Sequence, residues 1–183
     1  MMRTIIDKYK TALPEIMKAV GTKNVHGAPR IMKVVVSSGT GRTRDKARNE
    51  LVSDRLAKIT GQHPSPRPAK KSIATFKLRE GEIIGHMVTL RGERMRSFLD
   101  KMINVAIPRM RDFRGIDPKS IDALGNVTIG FKEHTVFPET ADEDLKDIFG
   151  LSVTIETTAK NKKDAETLLR AIGVPFKKER AKQ

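Results

Sequence analysis

Cysteine and tryptophan are absent from the 183 residues, and seven Phe with one Tyr make up the whole aromatic set. Without cysteine, disulfides, thiolate zinc sites and cysteine nucleophiles are excluded. With so few rings, the core must be packed from Ile, Leu, Val and Met. No apolar run approaches the roughly 18 residues of a spanning helix, and Met1-Met2-Arg3-Thr4 opens no apolar signal region. The expected compartment is the cytoplasm, and no membrane partner is expected. The four histidines, His26, His63, His86 and His134, never fall three or four residues apart, so no metal site is suggested. No serine sits in a Gly-x-Ser-x-Gly turn, and no two carboxylates pair convincingly as acid and base in sequence. No enzyme, cofactor or small-molecule substrate is expected. Internal repeats and low-complexity segments are also lacking.

What is present is positive charge. The chain carries 36 Lys and Arg against 22 Asp and Glu, a formal net charge of +14. Between Arg67 and Arg114 twelve Lys and Arg face five Asp and Glu, a surplus of seven and so half of the total. A basic set this dense on an apolar framework favours a polyanionic partner, although any single Lys in it is more simply a solvated surface group. Glu133 to Asp147 is the reverse, with six acids against Lys146. That stretch lacks the central glycine and closing glutamate of a calcium loop and reads as a solvated acidic face turned away from the anion.

Periodicity places the elements. Ile5, Ile6, Tyr9, Leu13, Ile16, Met17 and Val20 keep a helical period, with Gly21 as stop and Pro14 predicting a kink or two short helices. Arg30 to Ser37 reads as a strand, followed by a glycine loop at Ser38 to Thr43. That loop lacks the third glycine of a dinucleotide fingerprint, Arg44 standing in its place, and no Gly-Lys-Ser/Thr follows; a plain turn is the better reading. Arg42, Arg44, Lys46 and Arg48 beside it are candidates for phosphate contact. Asp45 to Ile59 predicts a helix, with Ala47, Leu51, Val52, Leu56 and Ile59 inward.

Pro64, Pro66 and Pro68 predict extended linker rather than sheet interior or helix. Ile73 to Leu78 and Ile83 to Leu90 then read as two strands joined by a glycine turn. Met95, Phe98, Leu99, Met102, Ile103, Ala106 and Ile107 share one helical face, which Pro108 should stop or kink. Val127 to Phe131 and Leu151 to Thr157 alternate as strands with one buried face. Asn161 with Asp164 resembles an N-cap before a last helix ended by Gly173 and Pro175. The fold class implied is α+β, an antiparallel sheet packed with helices and carrying an extended basic hairpin loop. Residues 1–183 are expected to form a single domain, with a loose basic tail over 177–183.

The strings AKKSIATFKLREG, VTLRGERM, IPRMRDFRG, VFPE and TTAK, in this order, resemble the bacterial family of large-subunit ribosomal protein five, which binds 5S rRNA. The resemblance runs collinearly from about Tyr9 to about Lys177, and the family fold is similar to the one read above. It implies a structural constituent of the ribosome whose partners are 5S rRNA, 23S rRNA in the central protuberance, P-site tRNA and a protein of the small-subunit head. A-form RNA shows 2′-hydroxyls and phosphates in its accessible groove, so short polar groups and cations suit it. The competing readings are an RNA chaperone acting off the ribosome and a general basic nucleic-acid binder, which would lack preference for 5S rRNA.

By resemblance, the 5S rRNA contacts fall on Ser37, Gln62, Thr89, Lys33 and Arg91. Gln62 matches the family's glutamine in Thr-Gly-Gln, and Thr89 its threonine in VTLRGERM. Ser37 stands where the family usually has asparagine, a shorter group with fewer donors. Thr89 lies between Val88 and Leu90, so a strand turns its hydroxyl away from theirs. The loop between Ala69 and Gly81 implies tRNA or nearby rRNA contact through Lys70, Lys71, Ser72, Lys77 and Arg79. The family's Phe-Asp-Gly-Arg-Gly-Asn is here Ile121-Asp122-Ala123-Leu124-Gly125-Asn126, which puts a contact near Leu124 in doubt. Arg180 and Lys182 extend past the usual ending.

Overall fold

The computed structural model describes residues 4–41, 45–111, 113–141 and 147–177. Its elements are α1 (Ile5–Val20), β1 (Ile31–Gly39), α2 (Lys46–Thr60), β2 (Ser65–Pro68), β3 (Ile83–Leu90), α3 (Gly92–Lys101), α4 (Ile107–Arg109), β4 (Val127–Phe131), β5 (Leu151–Thr157) and α5 (Lys162–Ala171). The strands form one five-stranded antiparallel sheet in the order β2-β3-β1-β5-β4, packed with helices. This is the α+β class expected. The chain divides into two compact units, residues 1–34, 91–129 and 154–183 in the first, and 35–90 and 130–153 in the second. The expected contacts of Arg42 and Arg44, residues 142–146 of the acidic stretch and the tail beyond 177 fall outside the described residues.

In the first unit, α1 starts on a capping box: Thr4 Oγ1 accepts from the Asp7 N–H while the Asp7 carboxylate accepts from the Thr4 N–H. The helix is continuous through Pro14, so of the kink or two short helices expected the two short helices do not form. Proline deprives only the carbonyl four residues back, that of Lys10, and both residues are exposed, so water satisfies it. Helix α1 packs against α5 and α3. Its first N–H reaches Asp100 Oδ1 on α3 at 2.9 Å.

All seven apolar positions predicted from Met95 to Ile107 are buried. The helix ends at Arg109, one residue past Pro108, in keeping with the stop or kink expected. A π-helical turn over Met102–Ala106 precedes Pro108, with the Ile107 N–H donating to the Met102 carbonyl, and the widened turn carries the backbone into α4. Asn161 caps α5 as expected, its Oδ1 accepting from the Asp164 N–H at 2.9 Å.

In the second unit, α2 is capped by Asp45 and packs on β3, burying Val52, Leu56 and Ile59 while Ala47 stays exposed. The hairpin is not the one expected. Strand β3 pairs with the proline segment β2, in the register Ser65↔Met87, Pro66↔His86, Arg67↔Gly85. Because β2 lies at the end of the sheet order, its prolines sit on an edge, where a missing donor breaks no inner ladder. Ile73 to Leu78 is no strand: Ile73 and Leu78 form an isolated bridge around a 3₁₀ turn at Ala74–Phe76. Elsewhere in this unit, His134 is fully buried, stacked on Phe149 at 4.1 Å and accepting the Phe149 N–H on Nδ1, so it holds the core together.

Candidate nucleic-acid interface

Alternation along the strands of the second unit sorts side chains by face. Val36 and Ser38 on β1 and Val88 and Leu90 on β3 are buried, whereas Val35, Ser37, Met87 and Thr89 between them are half-buried. With α2 covering β3, the two hydroxyls implied by resemblance lie on the side away from that helix. Gln62, just past the α2 C-cap, donates from Nε2 to the Thr89 carbonyl at 3.4 Å. Thr60 fixes the approach, its hydroxyl bonding the Leu56 carbonyl at 2.7 Å and the Gln62 carbonyl at 3.0 Å. Gln62 and Thr89, distant in sequence, thus come together with neutral polar atoms.

Ser37 is held differently. Its Oγ lies 2.9 Å from Ser152 Oγ on β5, forming a hydroxyl pair that sequence reading missed. Alternation marks Ser152 as outward, but only strand pairing shows which residue it meets.

The loop from 69 to 82 carries Lys70, Lys71, Ser72, Lys77 and Arg79, all exposed. It is closed in two tiers. Ala69 donates to the Glu82 carbonyl at 2.8 Å, and Gly81 to the Ala69 carbonyl at 3.0 Å. Nearer the tip, Ile73 and Leu78 exchange both backbone bonds at 3.0 Å. Ser72 Oγ accepts from the Glu80 N–H at 2.9 Å, so its hydroxyl is partly engaged in holding the loop. The cations therefore project from an ordered base.

In the first unit, Lys33 departs from the simple expectation of an available charge. Its Nζ is 2.7 Å from Glu156 Oε2, with side chains 26% and 40% exposed, so a phosphate would have to compete with that carboxylate. Arg91 is exposed at the N-cap of α3. Thr128 and Thr154 form a second hydroxyl pair at 3.0 Å. Leu124 is 72% exposed in a turn closed by the Gly125 N–H donating to the Asp122 carbonyl at 3.3 Å. Burial raises the Asp122 carboxyl, but hydrogen bonds from Asn126, Leu124 and Gly125 outweigh it and hold the group below the usual carboxylate range.

A cleft of about 660 Å³ in the second unit is lined by Lys46, Glu50, Asp54, His63, Glu82 and His86 among others. In it, Asp54 is tied to Arg55 and Lys58 at 3.0 Å each, and both nitrogens of buried His86 lack partners. Among the described residues no cluster of His, Asp or Glu forms a metal cage. Burial, then the neighbouring His63, pushes the His86 imidazole below its ordinary range. The unfolded chain therefore binds a proton near the ordinary value of 6.5 that the folded chain refuses. Stability is fully present above that value and falls as pH drops toward the folded pKa. Urea midpoints should decline from pH 7.5 to about 5.5, and the decline should shrink in His86→Leu; an equal decline in both proteins would assign it to other groups.

The described residues of this surface offer hydroxyls, an amide and cations. Comparison with known proteins identifies the family. Residues 24–79 match the family described as ribosomal protein L5, and residues 83–176 match the model of that ribosomal family's C-terminus. The chain is 45% identical over 177 residues to large ribosomal subunit protein uL5 of Prochlorococcus marinus (strain AS9601), covering 96% of this chain and 99% of that protein. Its identity to the uL5 proteins of Acaryochloris marina (strain MBIC 11017) and Thermotoga sp. (strain RQ2) is likewise 45%, over 91% and 94% of this chain and 93% and 95% of theirs. The chain belongs to the ribosomal protein L5 family. It is a structural constituent of the large ribosomal subunit, not an enzyme, and ribosomal RNA is among its partners.

Proposed function

We propose that the chain binds 5S rRNA and helps attach it to 23S rRNA in the central protuberance of a cytoplasmic ribosome, with loop 69–82 directed to P-site tRNA. The observation that carries the 5S reading is the convergence of Gln62 on the Thr89 carbonyl, beside an outward Thr89 hydroxyl on a strand whose other face is buried. An amide, hydroxyls and carbonyls on an ordered strand supply fit to 2′-hydroxyls and phosphates, and Arg91 adds charge. Lys33 contributes where RNA displaces Glu156. Sequence-tolerant phosphate contact by the loop cations suits a partner that varies from one tRNA to another. The exposed Glu133 and Glu139 suit a basic protein of the small-subunit head as the bridging partner.

Competition tests the reading. The purified protein, titrated with labelled 5S rRNA across a salt series, should retain its preference over tRNA at every matched salt concentration. Equal displacement by both RNAs would reduce it to a general basic binder.

A further inference from the structure

Phe76 is the only exposed aromatic among the described residues. It is 70% accessible, in a chain with eight aromatic residues that otherwise buries or half-buries its rings. Ile73, 43% exposed, lies three residues before it, and Lys70, Lys71, Lys77 and Arg79 surround both in sequence. The ring stands on the 3₁₀ turn closed by the paired Ile73 and Leu78 backbone bonds and by the Lys77 N–H to the Ala74 carbonyl at 2.9 Å. Lys77 takes φ 51°, the only positive φ of a non-glycine residue among those described. Glycine would meet that conformation more easily, yet a cation occupies it.

We propose that Phe76 is a stacking platform for an unpaired RNA base, with Lys70, Lys71, Lys77 and Arg79 holding the adjoining phosphates. This rests on the reading of loop 69–82 as RNA-facing and adds a base contact to its phosphate contacts. Two features select RNA over an apolar protein partner. The ring shares its loop with four cations against Glu80 and Glu82, a balance that complements a polyanion. An aromatic face beside such charge is also the standard recognition element for splayed bases. The two-tier closure orders the tip before binding, so less conformational freedom is lost on contact. Every base has a π face, so the contact tolerates sequence variation as the phosphate contacts do.

The test uses the full chain with two labelled RNAs at one ionic strength, a stem-loop with unpaired loop bases and a blunt duplex of equal length. Removing a stacking ring lowers affinity by about tenfold to a hundredfold. Phe76→Leu should therefore bind the stem-loop at least about tenfold more weakly and the duplex as before. Phe76→Trp, the only indole in the chain, should bind both RNAs like the parent and lose fluorescence on saturation with the stem-loop but not the duplex. A Lys70→Gln, Lys71→Gln protein should lose affinity for both. Undiminished stem-loop binding by Phe76→Leu, or unchanged indole emission at saturation, overturns the stacking role. If the lysine variant still weakens, the RNA-facing loop survives that result; if neither ring nor lysines matter, both readings fall.

Discussion

Replacing Lys70, Lys71, Lys77 and Arg79 together by Gln flattens the salt dependence of tRNA binding by about three log units per log unit of salt. Each phosphate neutralised by a cation contributes roughly 0.7 to 0.9 to that slope, through release of a condensed counterion. Four such contacts at 0.1 M salt amount to about a thousandfold in affinity. Fold stability should be nearly unchanged, because all four side chains are exposed and the bonds closing the loop run through the backbone, the Ser72 hydroxyl and the Glu82 carboxylate. Glutamine also leaves the φ preference at position 77 as it is. The comparison is a pair of salt titrations, parent against variant, with thermal melts as control. Parallel slopes would show that the loop cations are solvated charges and that contact lies elsewhere.

Gly115→Ala lowers the melting temperature by roughly 6–12 °C. Gly115 adopts φ +95°, and a Cβ there would stand 2.6 Å from the Lys177 nitrogen and 2.7 Å from the Phe176 carbonyl carbon. The obstacle is backbone, which cannot rotate aside. At this place Ile116 donates to the Pro175 carbonyl at 2.8 Å and Lys177 to the Ile116 carbonyl at 2.9 Å, tying the segment after α5 to the chain after α4. A left-handed conformation costs about 1–2 kcal/mol for a residue with a Cβ, and overpacking a further 1–3. A sum of about 3 kcal/mol corresponds to the stated shift at about 2–4 °C per kcal/mol for a chain of this length. Gly92→Ala is the comparator: φ is +58° and nothing lies within 4 Å of the added carbon, so only the conformational part, about 1 kcal/mol, applies. Equal melting of the two variants would mean that the close approach does not constrain this segment.

Periodic elements were legible because burial and sequence pattern share one cause. The spacing from Met95 to Ile107 anticipated a buried face whose seven members are all buried, and the Asn161 cap was readable from residue type and spacing. The loop region was misread for a physical reason. Ile73 to Leu78 has β-like composition, yet Ile73 and Phe76 are exposed, because the segment makes one bridge around a turn and has no sheet to lie against. The prolines at 64, 66 and 68 excluded a sheet interior, and Pro66 and Pro68 indeed stand on the edge strand β2; what the sequence did not reveal is that this edge pairs with β3. Pro14 is tolerated inside α1, where it and Lys10 are exposed, whereas the helix carrying Pro108 ends one residue later, at Arg109.

In the candidate interface, residue identities were legible and their partners were not. Ser37 meets Ser152 across 115 positions, Gln62 meets the Thr89 backbone across 27, and Lys33 is claimed by Glu156. Those pairings depend on strand order, which alternation alone does not fix. His86 shows the same limit: its isolation from hydrogen-bond partners follows from the α2 and β3 packing and leaves no mark in the local sequence.

Binding of 5S rRNA by a Gln62→Ala, Thr89→Ala protein, in competition with tRNA across a salt series, tests the proposed 5S site most directly. Neither substitution removes a charge, so the salt slope should stay parallel to that of the parent while the preference for 5S rRNA falls, by about thirtyfold if each of the two lost polar contacts is worth about 1 kcal/mol. A preference for 5S rRNA that survives both substitutions would contradict the assignment of that site to the Gln62 and Thr89 corner of the sheet.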